Sequence, residues 1–213
     1  MEPICPLEPL LQLSDHQEVE LVNKRLLSQL MHERVRGVQN SGVYFFRGDF
    51  EHVLQGVALE YVPRGLYIWN FRFPLFDFFG PNLTYSNRLR ERPFIQKEEM
   101  SEEAIVDYVM ASPEARDAFR IGTPMGLSEF AQYMENSGMR NPHVQLIYAA
   151  ALVLLGEELR AADLLNELPP NLHPTDIPHW NQLKTSLRQG PEAARLLLDQ
   201  VRQKNLQALG VAS

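Results

Sequence analysis

Ligand-type side chains cluster at one place in this chain, His173-Pro-Thr-Asp176-Ile-Pro-His179. Two imidazoles and a carboxylate in one loop are donor types that can hold a divalent metal. The prolines hold that backbone extended and pull the three side chains apart. Asp176 also stands where a helix cap would, so no metal is expected from His173, Asp176 and His179. A second polar set, Asp49, His52, Glu60 and Arg72, lies on or beside predicted strands, with Glu51 and Asn70 near it. Gathered in one concavity, these groups could serve a small hydrolase or a ligand-binding protein, with His52 titrating near neutrality. Spread along an open sheet, they are a solvated face. Cys5 is the single cysteine, which removes disulfide scaffolds and Cys-rich zinc sites. No basic neighbour activates it. Phosphate-binding glycine loops, a Gly-x-Ser-x-Gly elbow and a His-Glu-x-x-His pair are all absent. The expectation is a protein that is not an enzyme and needs no cofactor.

Two features suit docking instead. Between Glu98 and Asp117 the chain carries Glu98, Glu99, Glu102, Glu103, Asp107, Glu114 and Asp117 against Arg116 alone. Such a patch can draw a basic partner protein by electrostatic complementarity. Phe76, Phe78 and Phe79 crowd the loop Phe73 to Pro81. They form either a buried plug beneath the helices or an exposed anchor, and burial is the commoner fate of such rings. Arg88, Arg90 and Arg92 alternate just before the acidic stretch, and Lys184, Arg188, Arg195, Arg202 and Lys204 make the last helices basic.

The elements that must position these residues fall into two kinds. Fourteen of the 20 aromatics lie within the 51 residues from Tyr44 to Phe94. Aromatic density marks sheet. Strands are predicted over Val43–Arg47, His52–Val62 and Leu66–Phe73, with a short fourth over Leu83–Leu89. In the third, Tyr67, Trp69, Phe71 and Phe73 point one way while Leu66, Ile68, Asn70 and Arg72 point the other. A helix precedes them: Ser14 and Gln17 make a capping box, and Val19, Val22, Leu26 and Leu30 recur at helical spacing, flanked by Leu27 and Met31. Residues 1–13, with three prolines, read as an extended arm. After residue 96 the text is helical. Ser101, Ser112-Pro113, Asn141-Pro142 and Asp176 are start signals, and Gly138, Gly156, Pro169-Pro170 and Gly190 are stops.

The predicted fold is therefore α+β: residues 1–96 form a helix on an antiparallel meander of three or four strands, and 97–213 form a helical part. Within the latter, 142–209 makes two antiparallel helical hairpins. Length allows one large domain or two small ones. Net charge is −7, from 20 Lys and Arg against 27 Asp and Glu, which argues against nucleic-acid partners. The longest apolar run, Leu146–Leu155, is far short of the roughly 18 residues that span a bilayer, so no membrane partner is expected. The start carries Glu2 and Glu8 and no apolar stretch of the secretory kind, which predicts a cytoplasmic protein.

Gly156 and Gly190 lie 34 residues apart, and each closes one helix just before the next. With the Leu155-Gly156 pair and Ala161, this segment resembles tetratricopeptide helix pairs, which implies a peptide-binding groove on 142–209 and a chaperone or scaffold role. Leu26 to Gly42 followed by Val43 to Phe73, a helix and then a Tyr-x-Trp-x-Phe-x-Phe strand, resembles small bacterial proteins of the toxin-immunity kind. That resemblance implies a non-catalytic inhibitor or adaptor that binds and blocks a partner protein. The residues assigned to docking are Glu98, Glu99, Glu102, Glu103, Asp107, Phe76, Phe78 and Phe79.

Overall fold

A computed structural model describes residues 23–47, 50–119, 125–168 and 171–211. The arm over 1–13, Cys5, the capping box at Ser14 and Gln17, and Asp49 lie outside the described residues. Helix α1 spans Lys24–Arg34 and is capped by Asn23, whose side-chain oxygen accepts the Leu26 N–H at 3.0 Å. Its buried line is Leu27 and Met31, continued by Val35 beyond the helix end. Leu26 and Leu30, expected at the centre of the stripe, are only half-buried.

A six-stranded antiparallel sheet follows, larger than the three or four strands expected. It comprises β1 (Val38–Ser41), β2 (Tyr44–Arg47), β3 (Val53–Val62), β4 (Gly65–Pro74), β5 (Asn87–Arg88) and β6 (Phe94–Gln96). Strands β1 to β5 are neighbours in sequence order, and β6 pairs with the start of β4. The predicted strand over Leu83–Leu89 shrinks to the two residues of β5. Strands β1 and β6 escape sequence reading because they are short, and β1 buries only Val38. The close approach of β2 to β3 requires Gly56: a Cβ there would sit 2.0 Å from the Phe45 carbonyl oxygen and 2.9 Å from the Phe71 ring.

Cross-strand register assigns the two faces. Gly56 opposes Phe71, Ala58 opposes Trp69 and Glu60 opposes Tyr67 on one face. Val57 opposes Asn70, Leu59 opposes Ile68 and Gln55 opposes Arg72 on the other. The second face is covered by α1, α2 (Glu102–Ala111) and α3 (Pro113–Ala118), with Ile105, Val106, Val109 and Ala115 packed on Val57, Leu59, Leu66 and Ile68. Helices α2 and α3 thus share the core of the sheet, although the aromatic density ends before them. At roughly 25 cal/mol per Å² of apolar surface removed from water, burial rather than local composition decides where a helix docks. The first face is covered only in part, where Leu206 of the last helix and Leu209 just beyond its end meet Phe46, Leu54, Phe71 and Phe73.

The remaining helices are α4 (Leu127–Ser137), α5 (Pro142–Leu154), α6 (Glu158–Glu167), α7 (Ile177–Gln189) and α8 (Pro191–Ala208). Helix α5 packs on both α6 and α8, and α7 packs on the same two, so the four close a ring. Leu152, Leu183 and Leu198 lie buried inside it. These three belong to one buried apolar cluster, against which the half-buried Leu164 packs. No helix among the described residues is long and apolar enough to cross a membrane.

Candidate functional site

The densest polar cluster lies where the loop after β4 meets the starts of α5 and α7. Asp77 is wholly buried. Its carboxylate accepts the Phe79 N–H at 2.9 Å, the Asn82 amide at 3.0 Å and the Tyr85 hydroxyl at 3.1 Å. His143, in the first turn of α5, places Nε2 3.4 Å from Asp77 Oδ2 and Nδ1 3.6 Å from Asp176 Oδ1. Asp176 occupies the cap position of α7 but makes no side-chain cap bond. Its carboxylate faces His143 instead, which corrects the capping role expected for it. Burial alone lowers the affinity of His143 for its proton, but the two carboxylates outweigh burial and hold its pKa above the ordinary imidazole value. A cation at a helix N-terminus opposes the macrodipole, and here two acids compensate. Burial, reinforced by Asp77, pushes the Tyr85 hydroxyl well above its ordinary range. Asn205 of α8 completes the seam, donating to the Leu75 and Asp77 carbonyls at 2.7 and 2.8 Å.

This arrangement resembles a catalytic carboxylate–imidazole pair but lacks its working end. Both ring nitrogens of His143 face carboxylates, at 3.4 and 3.6 Å, and Nε2 also lies 3.4 Å from the Tyr85 hydroxyl, so the ring is turned toward the interior of the cluster. The cluster acts as a polar rivet between sheet loop and helices. Phe79 covers it from outside, its ring centroid 4.7 Å from His143 and 4.9 Å from His179.

The three phenylalanines divide. Phe76 and Phe78 are buried, Phe76 against Phe130 and Phe78 stacked on His179 at 5.0 Å. Only Phe79, at 41% exposure, remains available as an anchor. The metal candidates do not converge. His173 Nδ1 lies 2.8 Å from the Thr175 hydroxyl, Asp176 faces His143 and His179 stacks on Phe78. Among the described residues no group of three or more His, Cys, Asp or Glu is placed to hold a metal ion.

The polar sheet set does not converge either. Glu60 and Arg72 sit on opposite faces by register. Glu60 accepts the Trp69 indole N–H at 2.9 Å, while the Arg72 guanidinium lies over the Tyr133 ring at 4.8 Å. His52 lies 3.6 Å from Glu51, and burial lowers its pKa. The period-two pleat explains the failure: residues 60 and 72 pair with partners on different faces. Glu60 and Arg72 therefore do not meet in one site.

The acidic stretch is partly spent within the chain. Glu99 pairs with Arg92 at 3.1 Å, Asp107 pairs with Arg34 at 3.0 Å and Glu102 accepts the Asn23 N–H at 2.8 Å. Glu98 and Glu103 stay exposed.

The uncovered half of the first sheet face carries a different surface. Tyr67 and Trp69 on β4 are half-buried, and the exposed Arg88 lies across them on β5. Its guanidinium is 4.0 Å from the Tyr67 centroid and 4.8 Å from the Trp69 centroid. Phe94 extends the platform, 4.6 Å from Tyr67. Arg88 forms no ion pair among the described residues. Sequence reading places Tyr67 and Trp69 on one face of their strand and finds the alternating arginines, but nothing local joins the two. Asp77 and His143 were missed, although a carboxylate set among four phenylalanines is itself a signal of a buried charge.

Two grooves mark the helical part. One of about 470 Å³ runs between α4, α5 and α6. It is bridged by Arg160, which donates to Glu135 at 2.8 Å and to the Tyr148 hydroxyl at 3.0 Å. Tyr148 also donates to Glu135; burial and this bond push its hydroxyl up to about 12. The second, of about 200 Å³, lies between α6 and α7. No protein-family model matches the chain, and neither a curated protein nor a solved structure matches it.

Proposed function

We propose that this chain is a non-catalytic protein-binding protein, an inhibitor or adaptor of the kind the immunity-type resemblance implies. The observation that carries the reading is the Tyr67–Trp69–Arg88 platform. Tryptophan, tyrosine and arginine are the residue types that dominate binding energy at interfaces, because each offers large contact area at small entropic cost. Here they stand in mutual contact on a paired strand, so a partner meets a surface whose geometry is already set.

Docking through the acidic stretch contributes less than the sequence suggests, because Glu99, Glu102 and Asp107 already have partners within the chain. Glu98 and Glu103 are the acids left for a basic element of the partner. The test is affinity capture from the source cells with the wild type and with Arg88→Ala and Tyr67→Ala variants. A stoichiometric partner held by the wild type, and lost by both variants at unchanged circular dichroism, is expected. Equal recovery by all three, or no stoichiometric partner for the wild type, overturns the proposal.

A further inference from the structure

The cleft between α6 and α7 combines an apolar floor with two cations that have no carboxylate partner among the described residues. Ala162, Leu165 and Leu187 make the floor, and Lys184 and Arg188 stand on its α7 wall. These two are four residues apart on one helix, which sets their side chains one turn apart along the same face, about 5–6 Å between Cβ atoms. Lys184 rests over the Trp180 ring, 4.6 Å from its centroid, and the Trp180 indole N–H donates to the Leu165 carbonyl at 2.7 Å. That bond ties α7 to α6, so the residue that joins the two helices also carries the Lys184 ammonium group over its ring. Neither Lys184 nor Arg188 forms an ion pair among the described residues. The three arginines in ion pairs on the helices around it behave otherwise: Arg160, Arg195 and Arg202 each meet a carboxylate.

Size decides between kinds of ligand. Pockets for whole small molecules run from about 300 to 1,000 Å³, and this cleft offers about 200 Å³. It fits one aliphatic side chain with its flanking backbone rather than a metabolite. Charge decides the rest. A basic segment would meet two like charges, whereas carboxylates one turn from the aliphatic side chain would reach both cations. We propose that the α6–α7 cleft docks an acidic, leucine-bearing segment of a partner protein, with the aliphatic side chain on Ala162 and Leu187 and its carboxylates on Lys184 and Arg188. The site is separate from the sheet platform and does not depend on it.

The probe is the peptide acetyl-Glu-Glu-Leu-Glu-Glu-Leu-amide, titrated into the full-length protein while the two indole N–H signals are followed by NMR. The Trp180 signal is expected to shift saturably and the Trp69 signal to stay in place. Lys184→Gln with Arg188→Gln should weaken binding about tenfold, the product of two partly exposed ion pairs. Lysine in place of glutamate, or glycine in place of leucine, should abolish the shift, and Arg88→Ala should leave it intact. The proposal is overturned if Trp180 does not move at millimolar peptide, or if the shift appears on Trp69. It also falls if the double variant, folded by circular dichroism, binds as the wild type does.

Discussion

Replacing His143 with alanine removes the imidazole between two buried acids, and the structure sets the size of the effect. Breaking a buried pair by deleting one partner costs about 3–5 kcal/mol, because the other charge stays inside without compensation. Two observations place this case near the lower end. Asp77 keeps three donors, from Phe79, Asn82 and Tyr85. The His143 side chain is itself 17% exposed, so water can enter when the ring is gone. Asp176 is the residue left without compensation, since it makes no cap bond to α7. A loss of about 3 kcal/mol lowers the melting temperature of a protein this size by about 6–12 °C.

The pH dependence has a definite sign. The folded-state pKa of His143 lies above its unfolded value. Its contribution is therefore complete below the unfolded value of about 6.5 and is lost as pH rises through the raised folded value. Calorimetry of the wild type and His143→Ala at pH 6 and pH 9 checks this. The gap in stability should be largest at pH 6 and smaller at pH 9. A gap that widens with pH, or a variant within about 0.5 kcal/mol of the wild type at pH 6, refutes the rivet.

Two further changes probe the frame that holds these surfaces. Gly56→Ala should leave little folded protein in a urea titration, because the new methyl would overlap the Phe45 carbonyl oxygen at 2.0 Å and backbone cannot yield as a side chain can. Asn23→Ala should cost about 1 kcal/mol by the same measurement, the usual value of one N-cap bond, since the Leu26 N–H loses its acceptor.

The helices were legible because their ends are local chemistry. Ser101 and Ser112 accept N–H groups three residues on, Asn141 accepts one two residues on, and Gly138 takes the left-handed conformation that stops α4. The central strands were legible by alternation, since Tyr67, Trp69, Phe71 and Phe73 share a face as their spacing requires. Short β1 and β6 carry too few buried residues to show a period, and they owe their existence to the long strands beside them. Of the candidate site, Phe79 and the Tyr67–Trp69 face could be picked out in advance; His143 could not.

What the sequence by itself determined is therefore whatever is settled within a few residues: helix ends, strand alternation, the α+β class and the sparing use of cysteine. Only the tertiary structure decided which side chains meet. Asp77, His143 and Asp176 are 66 and 33 residues apart in sequence yet meet at one imidazole ring. Glu60 and Arg72 are close in sequence but separated by the thickness of the sheet. Burial of apolar surface chose the packing of helices on sheet, and that packing brought distant polar groups together or drove neighbours apart. Local pattern carries no term for it.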